Sequence, residues 1–237
     1  LSFVVRHKPE HYGYLPDGEM MASPVEAGGI QPLAASPEVS LSARQALSSR
    51  SFWHIAVSSA CHSFVVGAVV THMMPYLSSL SIARSVSSVI ALLLPLASIP
   101  GRLGSGWLAD KFGSKPVFAA SFISITTGLL IFANISAGRL WLLVPFIVAF
   151  SLGWGTSVTS RLTFLREYYG RDSFGTILGF TSGIMMMGNI IGAPLAGWVF
   201  DTWGSYLGAW FGFGALTLLG AVLVSTIPSS GRLAQPE

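Results

Sequence analysis

The chain has 237 residues, of which 51% are hydrophobic and only 10% are charged. A soluble domain carries about 25% charged residues, so this composition and the mean hydropathy of +0.64 indicate an integral membrane protein. The net charge of +3 does not indicate nucleic-acid binding, because the bases lie in short loops between apolar runs rather than in one patch.

Residues 6–51 are polar and are interrupted by five prolines and by Gly28 and Gly29. Such a segment buries too little apolar area to offset the entropy of ordering it. We therefore predict a flexible cytoplasmic linker over residues 1–51, with helix at 42–51. The apolar residues 1–5 resemble the end of an earlier membrane span, so we expect the chain to be part of a longer protein.

Six apolar segments follow the predicted linker. Each is close to the roughly 20 residues that a helix needs to cross about 30 Å of hydrocarbon. They lie at residues 52–77, 83–108, 116–135, 140–164, 174–200 and 206–227. The sequence thus predicts an all-α membrane protein, with a six-helix bundle at 52–228 and a cytoplasmic tail at 229–237.

The basic residues predict the orientation of this bundle. Of the 13 lysines and arginines, 11 fall on the side of the linker, and the other two, Arg84 and Arg139, fall on the opposite side. Because bases concentrate in cytoplasmic loops, we expect both termini to be cytoplasmic. The expected location is the inner (plasma) membrane of a bacterium or archaeon, which the chain crosses several times.

A glycine-acid pattern occurs twice, about 91 residues apart. Its first copy is Gly101, Gly106, Trp107, Asp110 and Gly113, and its second is Gly192, Gly197, Trp198, Asp201 and Gly204. Each repeat holds three spans, so the second copy must run in the opposite direction through the membrane. We therefore predict a 3+3 inverted repeat, with Asp110 and Asp201 on opposite sides.

The loop after the second span combines glycines, an acid and bases. In order these residues are Gly106, Asp110, Lys111, Gly113 and Lys115. This order resembles the loop signature of the major facilitator superfamily of secondary transporters. The resemblance implies half of a twelve-helix fold that works by alternating access. The missing N-terminal six-helix half would come from the same polypeptide or from a second copy.

In that family the acid of the loop lies against the positive N-terminal end of a helix in the opposite half and latches one access state. By resemblance, we expect the five loop residues to form such a gating motif. The alternative is a tight turn in which the glycines adopt left-handed backbone and Asp110 is a helix cap.

Arg102 is the main candidate for substrate binding. A charge at the centre of a membrane helix costs about 2.5 to 3.5 kcal/mol, and less near the end, so some interaction should offset it. Either Arg102 reaches the headgroups or pairs with Asp110, or its guanidinium holds a substrate carboxylate in a bidentate pair. In the second repeat its position is occupied by Ala193, so the fold does not require a base there.

Residues 99–106 resemble the eighth span of the monocarboxylate transporters and the oxalate/formate antiporters, where an arginine in this register contacts the substrate carboxylate. The monocarboxylate transporters have an aspartate where this chain has Ser98. The antiporters add a lysine in the eleventh span, whereas the fifth segment here has none and offers Asn189 instead. The resemblance therefore implies a small organic anion such as a monocarboxylate, and it leaves proton coupling open.

Two further residues are candidates for the substrate pathway. His62 is either a hydrogen-bonded lining residue or a participant in substrate or proton handling. Trp154, which lies between two glycines, either lines the pathway or packs against other side chains of the bundle. Among the bases before the fifth segment, which we expect mainly to fix topology, Arg161 lies deepest and is the one that could reach the cavity.

We predict no metal site and no cofactor. The single cysteine and the isolated histidines do not form a ligand set, and no nucleotide-binding loop is present, so a gradient should drive transport. The spans also lack the paired acids and nucleophile-base pairs of an enzyme. The alternatives are a facilitator that carries a neutral or drug-like solute and a membrane scaffold that does not transport.

Overall fold

The computed structural model describes residues 43–170 and 173–228, so the predicted tail and residues 1–42 of the predicted linker lie outside it. The described part is helical, with a short 3₁₀ turn at Leu140–Leu142 before the fifth long helix. The helices are α1 (Ala43–Ser48), α2 (Arg50–Ser79), α3 (Arg84–Phe112), α4 (Ser114–Ala133), α5 (Leu143–Tyr169), α6 (Phe174–Trp203) and α7 (Leu207–Ser225).

The described residues contain six helices that are long and apolar enough to cross a membrane, as the sequence predicts. Their ends differ from the predicted ends by a few residues. Helix α2 begins at Arg50 because Ser49 caps it, with the Ser49 hydroxyl accepting a hydrogen bond from the Phe52 amide at 3.2 Å. Helix α5 extends to Tyr169, where Gly170 ends it with a φ of 74°.

The helix pairing shows the predicted inverted repeat. Helix α3 packs on α5 and α6 packs on α2, so the middle helix of each repeat contacts the first helix of the other. The third helices, α4 and α7, pack on each other through Thr126 and Thr217, whose hydroxyl oxygens are 2.7 Å apart. These two threonines are 91 residues apart, the spacing of the repeat. Equivalent residues meet in this way at a two-fold axis, which confirms the 3+3 arrangement.

Repeat-related glycines explain why the helices pack so closely. A Cβ atom on Gly101 would lie 2.6 Å from the Leu152 carbonyl oxygen of α5, and one on Gly192 would lie 2.1 Å from the Phe64 carbonyl oxygen of α2. Within a membrane, small residues at such contacts allow backbones to approach. Both contacts therefore require glycine.

The two acidic turns lie at opposite ends of the bundle. At one end, Lys115 donates a hydrogen bond to the carbonyl of Ile227, which joins the start of α4 to the end of α7. At the other end, His72 of α2 lies 3.1 Å from the hydroxyl of Tyr206, just before α7. Asp110 lies at the first end and Asp201 at the second, as the inverted repeat predicts.

Candidate functional site

Helices α2, α4, α5 and α6 enclose a cavity of about 210 Å³, which we call the mid-depth cavity. Its polar lining includes Ser59, His62, Trp154, Ser157, Arg161 and Asn189. At 1.5 Å per residue, Arg161 lies about 12 Å from the end of α5, and His62 and Asn189 lie about 18 Å and 22 Å from the starts of α2 and α6. All three distances are measured from the same end of the bundle, so the cavity lies well inside a hydrocarbon layer about 30 Å thick.

Arg161 places a guanidinium group at this cavity, and no described residue forms an ion pair with it. Its Nη1 atom is buried, and no described residue accepts a hydrogen bond from it. The cavity lining contains neither aspartate nor glutamate. Buried charges are normally paired and buried donors normally have acceptors, so this arrangement leaves room for an anion from outside the chain.

A histidine and a serine form a hydrogen-bonded pair beside Arg161. His62 is 8% exposed, and its Nε2 atom lies 2.7 Å from the hydroxyl oxygen of Ser157. Ser157 in turn donates to the carbonyl of Trp154 at 2.8 Å. A hydroxyl has one proton, so when Ser157 donates to Trp154 it is Nε2–H of His62 that donates to Ser157. The pair holds the imidazole in one orientation at the cavity wall.

Two further polar groups reach the cavity. The hydroxyl of Ser59, in a residue only 1% exposed, has no hydrogen-bond partner among the described residues. The Asn189 side chain lies over Gly67, where a Cβ atom would come within 2.6 Å of its Oδ1 atom. Gly67 therefore provides the space that Asn189 occupies, and Ser59 offers an unused donor.

Three of the five predicted substrate-binding residues, His62, Trp154 and Asn189, thus line one cavity. The other two lie on α3 and are not among its lining residues. Arg102 is exposed, and no ion pair joins it to Asp110, although both are in the described region. Ser98 is fully buried, and its hydroxyl donates to the carbonyl of Pro95 at 2.6 Å. Substrate binding by these residues remains a prediction.

The predicted gating motif has two kinds of residue. Gly113 forms the turn between α3 and α4 with a φ of 88°, and Lys115 is held by the carbonyl of Ile227. In contrast, Asp110 and Lys111 are exposed, and a Cβ on Gly106 would meet no described atom within 4 Å. The first group builds the turn, and the second is available to a partner.

Sequence reasoning did not select Ser59 or Ser157, and it treated Arg161 mainly as a topology residue. Serine is frequent in these spans, so its presence alone carries little information. The useful signals were positional. Ser59 and His62 are three apart on one helix face, and Arg161 lies a full turn deeper than Arg166.

Inverted three-helix repeats that enclose a polar cavity at mid-membrane depth define a secondary transporter fold. The model of the Major Facilitator Superfamily matches residues 16–183 and 55–236. The chain therefore belongs to that family and is an integral membrane protein that crosses the bilayer several times.

Curated relatives carry two kinds of name. The chain is 23% identical to rat monocarboxylate transporter 12 over 77% of its own length and 38% of the relative. It is 28% identical to bovine monocarboxylate transporter 13 over 58% of its length and 33% of the relative. It is also 29% identical to a multidrug resistance protein B homolog of Mycobacterium tuberculosis over 42% of its own length and 18% of the relative. The chain thus spans about a third of the monocarboxylate relatives that it matches.

Proposed function

We propose that this chain is the C-terminal half of a secondary transporter that carries a small organic anion, such as a monocarboxylate, by alternating access. The observation that carries this proposal is the buried Nη1 atom of Arg161, which has no acceptor among the described residues and belongs to a side chain that lines the mid-depth cavity. A carboxylate can accept two parallel hydrogen bonds from a guanidinium, which matches the unused donor in both charge and geometry.

The neighbouring groups suit the same ligand. The Ser59 hydroxyl can donate to a carboxylate oxygen, and Asn189 can bind a hydroxyl or keto group on the adjacent carbon. Pockets for drug-sized ligands enclose about 300 to 1,000 Å³. A cavity of about 210 Å³ in this half therefore favours a small solute.

Arg102 has a second place in this proposal. It lies about 15 Å from the end of α3, close to the depth of Arg161, and on an exposed face. We propose that it contacts the substrate in the conformation in which the opposite half closes over α3. Ser98 lies one turn before Arg102, with its carbonyl against Gly155 of α5, and a contact of its side chain with the substrate stays a prediction.

The surface of α3 and α6 supports a missing N-terminal half. In their most apolar stretches only 28% and 22% of the residues are buried, against 67% in α2. Cβ atoms on Gly175, Gly179 and Gly183 would meet nothing within 4 Å among the described residues. Such bare faces suit close packing against six further helices from the same polypeptide or from a second copy. Asp110 would then latch against that half, at a helix N-terminus.

The charge distribution supports cytoplasmic placement of the end that carries Asp110 and of both termini. The bacterial or archaeal inner membrane remains our prediction for its location. The test introduces single cysteines as Asp110→Cys and Asp201→Cys in a Cys61→Ser background, in sealed right-side-out vesicles. An impermeant maleimide should label position 201 directly and position 110 only after permeabilisation. Equal labelling of both from outside would contradict this topology.

The function itself is tested by uptake into proteoliposomes that contain the full-length protein. Radiolabelled lactate, oxalate and lactamide represent a monocarboxylate, a dicarboxylate and a neutral analogue of similar size. We expect gradient-driven uptake of lactate and little uptake of lactamide. Lactamide uptake as fast as lactate uptake would contradict an anion transporter.

A neutral or drug-like solute is the second candidate, because the mycobacterial relative is named for multidrug resistance. The two functions differ in their dependence on Arg102 and Arg161. Transport of a neutral solute should survive Arg102→Ala and Arg161→Ala, whereas carboxylate uptake should not.

A further inference from the structure

A second cavity lies between α3, α4 and α5 at the end of the bundle that carries Asp110. We call this cavity of about 460 Å³ the inner groove. Its walls include Leu108 and Phe112 of α3, Val117 and Ala120 of α4, and Leu152 and Thr156 of α5. Along α4 it extends from Pro116 to Ser124, which is about 12 Å and therefore close to the depth of one membrane leaflet.

The inner groove does not require a polar ligand. Its walls contain three hydroxyl side chains, and each donates to a backbone carbonyl within the described region. Ser121 donates to Phe118 at 2.6 Å, Ser124 to Ala149 at 2.7 Å, and Thr156 to Gly101 at 3.3 Å. With these donors used, the surface offered to an occupant is apolar.

The inner groove is narrow compared with a helix. Its volume over a length of about 12 Å gives a mean cross-section of about 40 Å². A helix with side chains is at least 10 Å wide, which corresponds to about 80 Å². The inner groove therefore suits slender hydrocarbon chains better than a whole transmembrane helix.

A lysine stands at the mouth of the inner groove. The Lys111 ammonium lies 5.4 Å from the ring centre of Phe112, which lines the groove, and 5.3 Å from that of Trp107. Lys111 is exposed and makes no ion pair with any described residue. Of the other nearby charges, Asp110 is exposed, Lys115 binds the Ile227 carbonyl, and Glu167 binds Ser114.

We propose that the inner groove binds the acyl tail of an anionic phospholipid, with the lipid phosphate at Lys111. The apolar walls hold the tail over the depth of one leaflet, and the ammonium group binds the phosphate at the level of the headgroups. The electrostatic attraction between one lysine and an anionic lipid is strong enough to favour its binding over that of a neutral lipid about fivefold. This inference depends on membrane insertion and not on the transported substrate.

The test uses the full-length protein, reconstituted in phosphatidylcholine with a trace of photoactivatable lipid. The probes are phosphatidylglycerol and phosphatidylcholine that carry the same diazirine-labelled tail. After illumination, mass spectrometry quantifies crosslinks to residues 108–124 and 152–156. We expect about five times more crosslinking from phosphatidylglycerol.

Two variants separate the headgroup from the tail. Lys111→Gln should remove the preference for phosphatidylglycerol, while the matched charge loss Arg84→Gln, at the other end of α3, should preserve it. Ala120→Trp should fill the groove and reduce crosslinking from both lipids. Ile123→Trp, on the same helix outside the groove, should not.

Three results would overturn the proposal. The first is equal crosslinking of the two lipids in the wild-type protein, and the second is an unchanged preference in Lys111→Gln. The third is crosslinking of neither lipid to the groove, which would assign the space to another part of the protein. The ratio of phosphatidylglycerol to phosphatidylcholine crosslinking in the wild-type protein tests the proposal even if the tryptophan variant does not fold.

Discussion

The mid-depth cavity and the inner groove lie on α5 within a few turns of each other, yet they make opposite use of the same residue types. Both are lined by serines among apolar side chains. In the inner groove, Ser121 and Ser124 donate to carbonyls of their own bundle. In the mid-depth cavity, the Ser59 hydroxyl and Arg161 Nη1 have no partner among the described residues. The unused donors at the mid-depth cavity suit an anion, whereas the satisfied hydroxyls of the inner groove leave an apolar surface for a hydrocarbon chain.

The largest expected effect comes from removing the unused charge. Arg161→Ala should lower kcat/KM for carboxylate uptake by about 10- to 100-fold, because a hydrogen bond to a charged group contributes about 1.5 to 3 kcal/mol. The measurement is initial uptake rate against substrate concentration in proteoliposomes. Arg161→Lys should recover only part of the activity, since an ammonium keeps the charge but lacks the bidentate geometry.

Arg166→Ala is the matched control for this variant, because Arg166 lies on the same helix, is exposed and does not line the cavity. Its uptake should be close to that of the wild-type protein. Arg161→Ala should also unfold at no lower temperature than the wild type, since it removes an unpaired, partly buried charge. Uptake that is unchanged in Arg161→Ala would refute the assignment of this arginine.

A smaller effect is expected from the hydrogen-bonded pair in the same cavity. Ser157→Ala removes the 2.7 Å contact that orients His62. A neutral hydrogen bond contributes about 0.5 to 1.5 kcal/mol, so KM for the carboxylate should rise about threefold to tenfold. Ser160→Ala, a buried serine of α5 outside the cavity lining, should leave KM unchanged. Equal changes in both variants would indicate a general packing effect.

The smallest effects contrast the two regions directly. Ser124→Ala in the inner groove removes a donor to the Ala149 carbonyl and should lower stability by about 0.6 kcal/mol with uptake unchanged. Ser59→Ala removes a hydroxyl without a described partner, so it should preserve stability but weaken uptake severalfold. Unfolding of the purified variants and uptake measured side by side would test this contrast. The reverse pattern would show that we have assigned the two regions incorrectly.

Most of the fold could be predicted because the membrane imposes strong rules on sequence. Span lengths follow from bilayer thickness, and two of the three repeated glycine pairs mark contacts or turns that only glycine tolerates. Gly101 and Gly192 face backbone carbonyls, and Gly113 and Gly204 both have positive φ. Helix ends were less predictable, because caps such as Ser49 and the polar last turns of α5 extend helices beyond their apolar cores.

The site was less predictable than the fold. Sequence reasoning found His62, Trp154 and Asn189, because polar and aromatic residues stand out within apolar spans. It could not rank Arg161 above Arg102, since both lie at similar depth and only the packing of α5 on α3 and α4 decides which face of α5 lines the cavity. It also could not tell Ser59 from Ser124, because whether a hydroxyl is satisfied depends on the neighbouring helix.

The most direct test of the account is ligand-dependent stability of the purified full-length protein. A ligand that binds only the folded state raises the melting temperature, by an amount that grows with the logarithm of its concentration once that concentration exceeds Kd. Saturating lactate should raise the melting temperature of the wild-type protein but not that of Arg161→Ala, and lactamide should raise neither. An equal rise for lactate in both proteins would contradict the claim that Arg161 at the mid-depth cavity binds the anion.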